Sequence, residues 1–191
     1  EIGRFCETSV VRLPIIRKYC EIKKIYQGKV DDMSYLYGRV ASKEEGLLGH
    51  HLDQGPDGRP ATLMCYDEAS GVPHERKEKT DTWADRTIII GNPFECHNFF
   101  KFAVDGNPDG SDKGGDIKRP DGNGFYRKII RIKATDSPNV KRGIRAVAMD
   151  EPVPTKNLIP GILTYDQYMK RRSIWHPRTQ CISLDAEFYK G

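Results

Sequence analysis

The sequence predicts an α/β fold, and three features predict it. Two short apolar runs, TLMCY (62–66) and TIIIGNP (87–93), have the length and turn-bounded ends of strands fully buried in a parallel sheet. The stretch between them, ASGVPHERKEKTDTWADR, has room for a crossover helix. After the second run, FECHNFFKFAVDG reads as another helix, which completes the order strand, helix, strand, helix.

The remaining elements follow in chain order. Residues 9–27, SVVRLPIIRKYCEIKKIYQ, set Val10, Val11, Leu13, Ile15, Ile16, Tyr19, Cys20, Ile22 and Ile25 at mainly helical spacing. Proline is comfortable only in the first turn of a helix, so Pro14 places the helix start near Leu13. YLYGRVAS (35–42) is a strand candidate, and the Gly- and Pro-rich KEEGLLGHHLDQGPDGRPA is a loop. Within it GLLGHH reads as a glycine turn; a contact to a ligand or subunit through His50 or His51 is the other reading.

Residues 105–124, DGNPDGSDKGGDIKRPDGNG, form an exposed loop by composition. FYRKIIRIKAT (125–135) alternates apolar and basic residues as a strand with one polar face does, and DSPNV ends it in a turn. TYDQYMKRRSIWHP is a helix capped by Thr164. The organisation expected is a main domain over 1–150, followed by a linker and helices over 151–191.

Bulk properties narrow the function classes. With 37% hydrophobic residues the 191-residue chain can bury a core, and its net charge of +4 is too mild to dictate a partner. No run approaches the roughly 18 apolar residues of a membrane span. Five cysteines (Cys6, Cys20, Cys65, Cys96, Cys181) without a CxxC suit free thiols in a reducing compartment. Neither Cys96-His97 nor His50-His51 has the spacing of a zinc site. The chain opens on Glu1 directly into EIGRFCETSVV, and reads as a fragment or a processed product.

The chemistry concentrates at the carboxyl ends of the two apolar runs, where ligands of open α/β sheets bind. Asp67 and Glu68 follow TLMCY, and Gly91-Asn92-Pro93 follows TIII. A nucleotide triphosphatase needs one carboxylate to hold Mg²⁺ through its water shell, a second to polarise the attacking water, and a polar side chain that senses the γ-phosphate. Asp67, Glu68 and Asn92 fill those roles in order. The competing reading is that Asp67-Glu68 starts a helix, complementing its dipole and capping its N–H groups. No G-x-x-x-x-G-K-[ST] phosphate loop occurs in the sequence, so on the triphosphatase reading that loop is expected ahead of Glu1.

Read in order, the blocks VASKEEGLLGHH, TLMCYDEASGVPHE, TWADRTIIIGNPFECHNFF, FYRKIIRIKATDSPNV and IPGILTYDQYMKRRSIWHPRTQCISLDAEFYKG resemble the large terminase subunit of tailed bacteriophages. The resemblance runs from about residue 5 to the end and lies in the order of the blocks. It implies the later part of a RecA-like P-loop ATPase core, with a mainly parallel sheet flanked by helices and a helical C-terminal extension. It also implies ATP and Mg²⁺ as cofactors, with Asp67 as the metal carboxylate and Glu68 as the catalytic base of a Walker B pair. Gly91-Asn92-Pro93 would couple hydrolysis to DNA movement. The partners implied are double-stranded DNA, the portal protein, the small terminase subunit and further copies in a ring. The place implied is the cytoplasm of an infected bacterial host, transiently docked on the procapsid, with no membrane involved. The nuclease of such a subunit is expected beyond Gly191, and Asp185 and Glu187 are expected to be helix-surface acids.

Arg127, Lys128, Arg131 and Lys133 are candidates for phosphate contacts that give affinity without sequence readout, or else a solvated face. Lys170, Arg171 and Arg172 on the tail helix have the same two readings. A non-enzymatic DNA-binding or capsid-docking module on an ATPase scaffold, and a helicase-type ATPase, are the alternatives to the packaging motor. The isolated fragment is expected not to hydrolyse ATP.

Overall fold

The computed structural model describes residues 15–18, 21–27, 29–37 and 62–191, and the chain divides into two compact units at Leu47/Leu48. In the first unit β1 (Ile15–Lys18), β2 (Glu21–Tyr26) and β3 (Lys29–Tyr37) form an antiparallel sheet in that order. The helix expected from Leu13 is therefore replaced by strands. Ile15, Ile16, Ile22, Ile25 and Val30 are β-branched, which favours the pleated backbone. The β2–β3 ladder breaks register between Lys23 and Lys24, and such a break disturbs the two-residue period by which strands are recognised. Tyr26 pairs with Lys29, and Gln27 between them sits at φ 50, the left-handed conformation of tight hairpins. Of YLYGRVAS, Tyr35–Tyr37 belong to β3; residues 38–42 and the GLLGHH loop with His50 and His51 lie outside the described residues.

The second unit is mixed α/β. β4 (Leu63–Tyr66) and β5 (Arg86–Ile89) pair in parallel, with Tyr66 opposite Ile89, and α1 (His74–Asp81) makes the crossover. The expectation of strands buried on both faces is corrected. Met64, Tyr66 and Ile89 pack against Ala69, Val72, Phe99 and Phe100, whereas Leu63 and Ile88 on the other face are 56% and 46% exposed. One face of this sheet is covered and the other is open, as the alternating pleat requires. The Tyr66 hydroxyl meets the buried Thr80 hydroxyl and donates to the Arg76 carbonyl at 3.3 Å, which ties α1 to the covered face.

α2 (Phe99–Asp105) begins five residues later than Phe94 because Asn98 is its cap, its side-chain oxygen accepting from Phe100 N at 3.1 Å. The Gly/Asp-rich segment then folds on itself. Asn107 N donates to Asp112 O at 2.8 Å, and a Cβ on Gly106 (φ 97) would come within 2.6 Å of that same carbonyl oxygen. β6 (Ile117–Lys118) pairs antiparallel with β7 (Phe125–Arg127). The strand expected over 125–135 is thus confined to its first three residues; Lys128–Lys133 join no ladder, and Ala134–Asp136 form a 3₁₀ turn.

DSPNV opens a helix instead of closing in a turn. Pro138 occupies the first turn of α3 (Pro138–Ala148), where its missing N–H costs nothing. Asn139, Val140, Gly143 and Ala146 are its buried face. α4 (Tyr165–Ile174) starts in the expected place, where Thr164 and Gln167 form a reciprocal capping box with both bonds at 3.1 Å. α5 (Pro177–Ser183) follows, and Val140, Tyr168 and Leu184 form the second core, so the helices after residue 150 pack back on α3. Among the described residues no helix is long and apolar enough to cross a membrane.

Candidate functional site at the ends of the parallel strands

Two backbone bonds extend the parallel ladder past its last side-chain pair. Ile90 N donates to Tyr66 O at 2.8 Å, and Ala69 N donates to Ile90 O at 2.9 Å. Asp67 and Glu68 are the two residues looped out between those anchors, and both are exposed. Asp67 turns one carboxylate oxygen back to accept from Glu68 N at 2.9 Å. Glu68 sits at φ 51, ψ 44, a left-handed conformation uncommon for a residue with a side chain. Ala69–Gly71 then make a 3₁₀ turn.

This geometry bears on the helix-start reading. Glu68 stands at the cap position of the 3₁₀ turn, but its side chain accepts no N–H there. The crossover helix starts later, behind Pro73. The second oxygen of Asp67 and both of Glu68 have no hydrogen-bond partner among the described residues. Carboxylate oxygens are the hard donors that Mg²⁺ takes, but among the described residues no third acid, histidine or cysteine stands with Asp67 and Glu68 to share a metal.

The second strand end lies directly alongside. A Cβ on Gly91 would stand 3.0 Å from Ala69 N, so glycine permits the two loops to touch. Asn92 is exposed, and its side chain has no hydrogen-bond partner among the described residues; Pro93 behind it is buried. Thus Asp67, Glu68, Gly91 and Asn92 share one end of the β4–β5 sheet.

A residue missed in the sequence completes the site. Asn98 is 3% exposed, and its amide nitrogen donates to the carbonyls of Ala69, Ser70 and Val72 at 2.9, 3.3 and 2.7 Å. An Asn directly before the apolar run FFKFAV signals a helix cap. Nothing in the sequence signals its reach across to the acid turn. Burial pushes the nearby Cys96 thiol above its ordinary range.

The four basic candidates sit apart on the chain after β6, and each faces an acid. Arg127 grips Asp112 with two nitrogens and donates to Gly115 O at 2.7 Å; Lys128 pairs with Asp116. The Arg127 hydrogen bonds hold the Asp112 carboxyl at about 2, well under its ordinary 3.8, and Lys128 likewise lowers Asp116. Arg131 and Lys133 share one carboxylate, Glu187, at 3.0 and 3.3 Å. Asp185 pairs with Arg172, which also donates to Tyr168 and Gln180. Asp185 and Glu187 are therefore ion-pair partners beyond the end of α5, a correction to their reading as helix-surface acids.

Asp105, Asn107, Asp109, Gly110 and Asp116 have the spacing of a twelve-residue calcium loop, another pattern not noticed in the sequence. Their side chains do not converge: Asp109 bonds Ser111, Asp116 bonds Lys128, and among the described residues no three acid, histidine or cysteine side chains are placed to share a metal.

Comparison with protein-family models, with curated proteins and with solved structures finds no match to this chain.

Proposed function

We propose that this chain carries the water-activating half of a RecA-like ATPase that drives viral double-stranded DNA into a procapsid. The observation that supports the ATPase is the acid pair itself: two adjacent, exposed carboxylates looped out at the carboxyl end of a parallel strand and pinned on both sides to the next strand by Ile90. The choice of a packaging motor over a helicase rests on the resemblance of the ordered sequence blocks.

In this reading Asp67 would hold Mg²⁺, which when bound would supply neutralisation of phosphate charge. Glu68 would orient the attacking water and take its proton as the water oxygen bonds to the γ-phosphorus. The bond from that phosphorus to the β–γ bridging oxygen breaks, and ADP leaves with the electron pair on that oxygen. Asn92 hydrogen-bonds the γ-phosphate and registers its loss. No G-x-x-x-x-G-K-[ST] motif occurs in these residues, so the 191-residue chain alone is expected to be inactive.

DNA contact is assigned to the Arg131–Lys133 end of the basic segment. There two cations share one carboxylate and leave positive charge over, while Arg127 and Lys128 are each matched by an acid. The portal protein, the small terminase subunit and a ring of copies are the partners of such a motor at the procapsid in the host cytoplasm.

The test is ATP hydrolysis by the full-length protein, comparing the parent with Glu68→Gln. Turnover by the parent, with a variant that binds nucleotide yet stalls, supports the site. Equal behaviour of the two returns the chain to the non-enzymatic DNA-binding or capsid-docking alternative.

A further inference from the structure

Ala69 is gripped from both ends by the segment that follows β5. Its N–H donates to Ile90 O at 2.9 Å, and its carbonyl accepts from the Asn98 side chain at 2.9 Å. Ala69 is fully buried and directly follows Glu68 in the chain. Asn98 also holds the Ser70 and Val72 carbonyls, while its oxygen caps α2 through Phe100 N. Two amide protons serve three carbonyls, so one is shared, and both side-chain protons are in use. The residues bracketed by Ile90 and Asn98 include Gly91 and Asn92, the second strand end.

We propose that Asn98 is a positioning residue that locks the acid turn to the 90–98 segment, so that displacement at Asn92 is carried to the backbone of Glu68 as one rigid movement. This rests on the ATPase reading above and adds how the sensing and water-activating residues are joined. A buried amide that only capped α2 would need its oxygen alone. The three carbonyl bonds from its nitrogen all go to the turn bearing Glu68, and Gly91 lets the two backbones meet at the same point.

The experiment uses Asn98→Ser, which keeps an oxygen to cap α2 but cannot reach the three carbonyls. In the 191-residue chain, hydrogen exchange of the Ala69, Gly71 and Val72 amides should quicken about tenfold or more, with β4 and β5 amides unchanged. In the full-length protein kcat should fall about tenfold with KM nearly constant, because the nucleotide still binds while the water is misplaced. Unchanged exchange in folded Asn98→Ser overturns the proposal. So does unchanged kcat when Glu68→Gln is inactive, which spares the ATPase reading. If Glu68→Gln turns over like the parent, the ATPase reading falls and the positioning role with it. Should Asn98→Ser fail to fold, exchange in the parent decides. A common opening free energy for amides in 67–72 and 90–98 is expected, and separate opening energies refute the lock.

Discussion

Gly91 lies against the amide of Ala69: a Cβ built on it would stand 3.0 Å from that nitrogen and 3.5 Å from the Phe100 ring. The contact brings the loop after β5 onto the loop after β4, beside Glu68. The Ala69 amide is already committed to Ile90 O, so it cannot retreat without breaking the bond that closes the acid turn. Gly91→Ala should therefore destabilise by about 1 kcal/mol and Gly91→Val by about 2–3, as overpacking does. Urea midpoints at constant slope measure this.

Glu68 makes a second prediction through its backbone. A residue with a side chain costs roughly 1–2 kcal/mol in the left-handed region, and a β-branched one costs more. Glu68→Gly, which offsets part of that gain by its larger unfolded-state entropy, should raise stability by up to about 1 kcal/mol. Glu68→Val should lower it by about 1–2 kcal/mol. Both should abolish hydrolysis in the full-length protein, so stability and activity would move independently. A Glu68→Gly variant less stable than Glu68→Val in thermal unfolding contradicts the left-handed assignment.

Asp112 sets a pH dependence. Its carboxyl is held at about 2 in the folded protein against an ordinary 3.8, chiefly by hydrogen bonds from Arg127. A depressed carboxyl adds stability above its unfolded value, and that stability is lost as pH falls through the folded one. The stability gap between the parent and Asp112→Asn should thus be constant near neutrality and close between about 4 and 2. Urea melts across that range, at fixed ionic strength, would show the two converging. A gap that persists at the lowest pH places its cause elsewhere.

Gly143 reverses a usual rule. Replacing glycine with alanine inside a helix normally stabilises by about 1 kcal/mol. A Cβ on Gly143 would overlap the Tyr165 ring, however, where α4 crosses α3. Gly143→Ala should destabilise by about 2–3 kcal/mol. Tyr165→Ala, which removes the ring, should make the same alanine neutral or favourable. The double-mutant cycle in denaturant gives the coupling directly.

The parallel pair and its crossover were legible because TLMCY and TIII are compact apolar runs flanked by turn residues, and so was the Thr164 cap with Gln167 three residues on. The first unit was misread because an interrupted ladder disturbs the two-residue period, leaving apolar residues at spacings a helix also produces. Ile130 and Ile132 fitted a strand by alternation, yet they are 77% and 76% exposed and no ladder forms there. Alternation describes one strand; pairing needs a second backbone at hydrogen-bond distance.

By itself the sequence determined the α/β character of the second unit, the carboxyl-end position of Asp67, Glu68 and Asn92, and the absence of a phosphate-loop motif within these residues. Those are local properties: apolar runs, turn chemistry and order along the chain. Tertiary structure alone decided that Glu68 is left-handed, that Asn98 reaches the turn beside it, and that Arg127, Lys128, Arg131 and Lys133 face acids. Each depends on groups distant in sequence brought within about 3 Å, the reach of a hydrogen bond, which no spacing along the chain encodes.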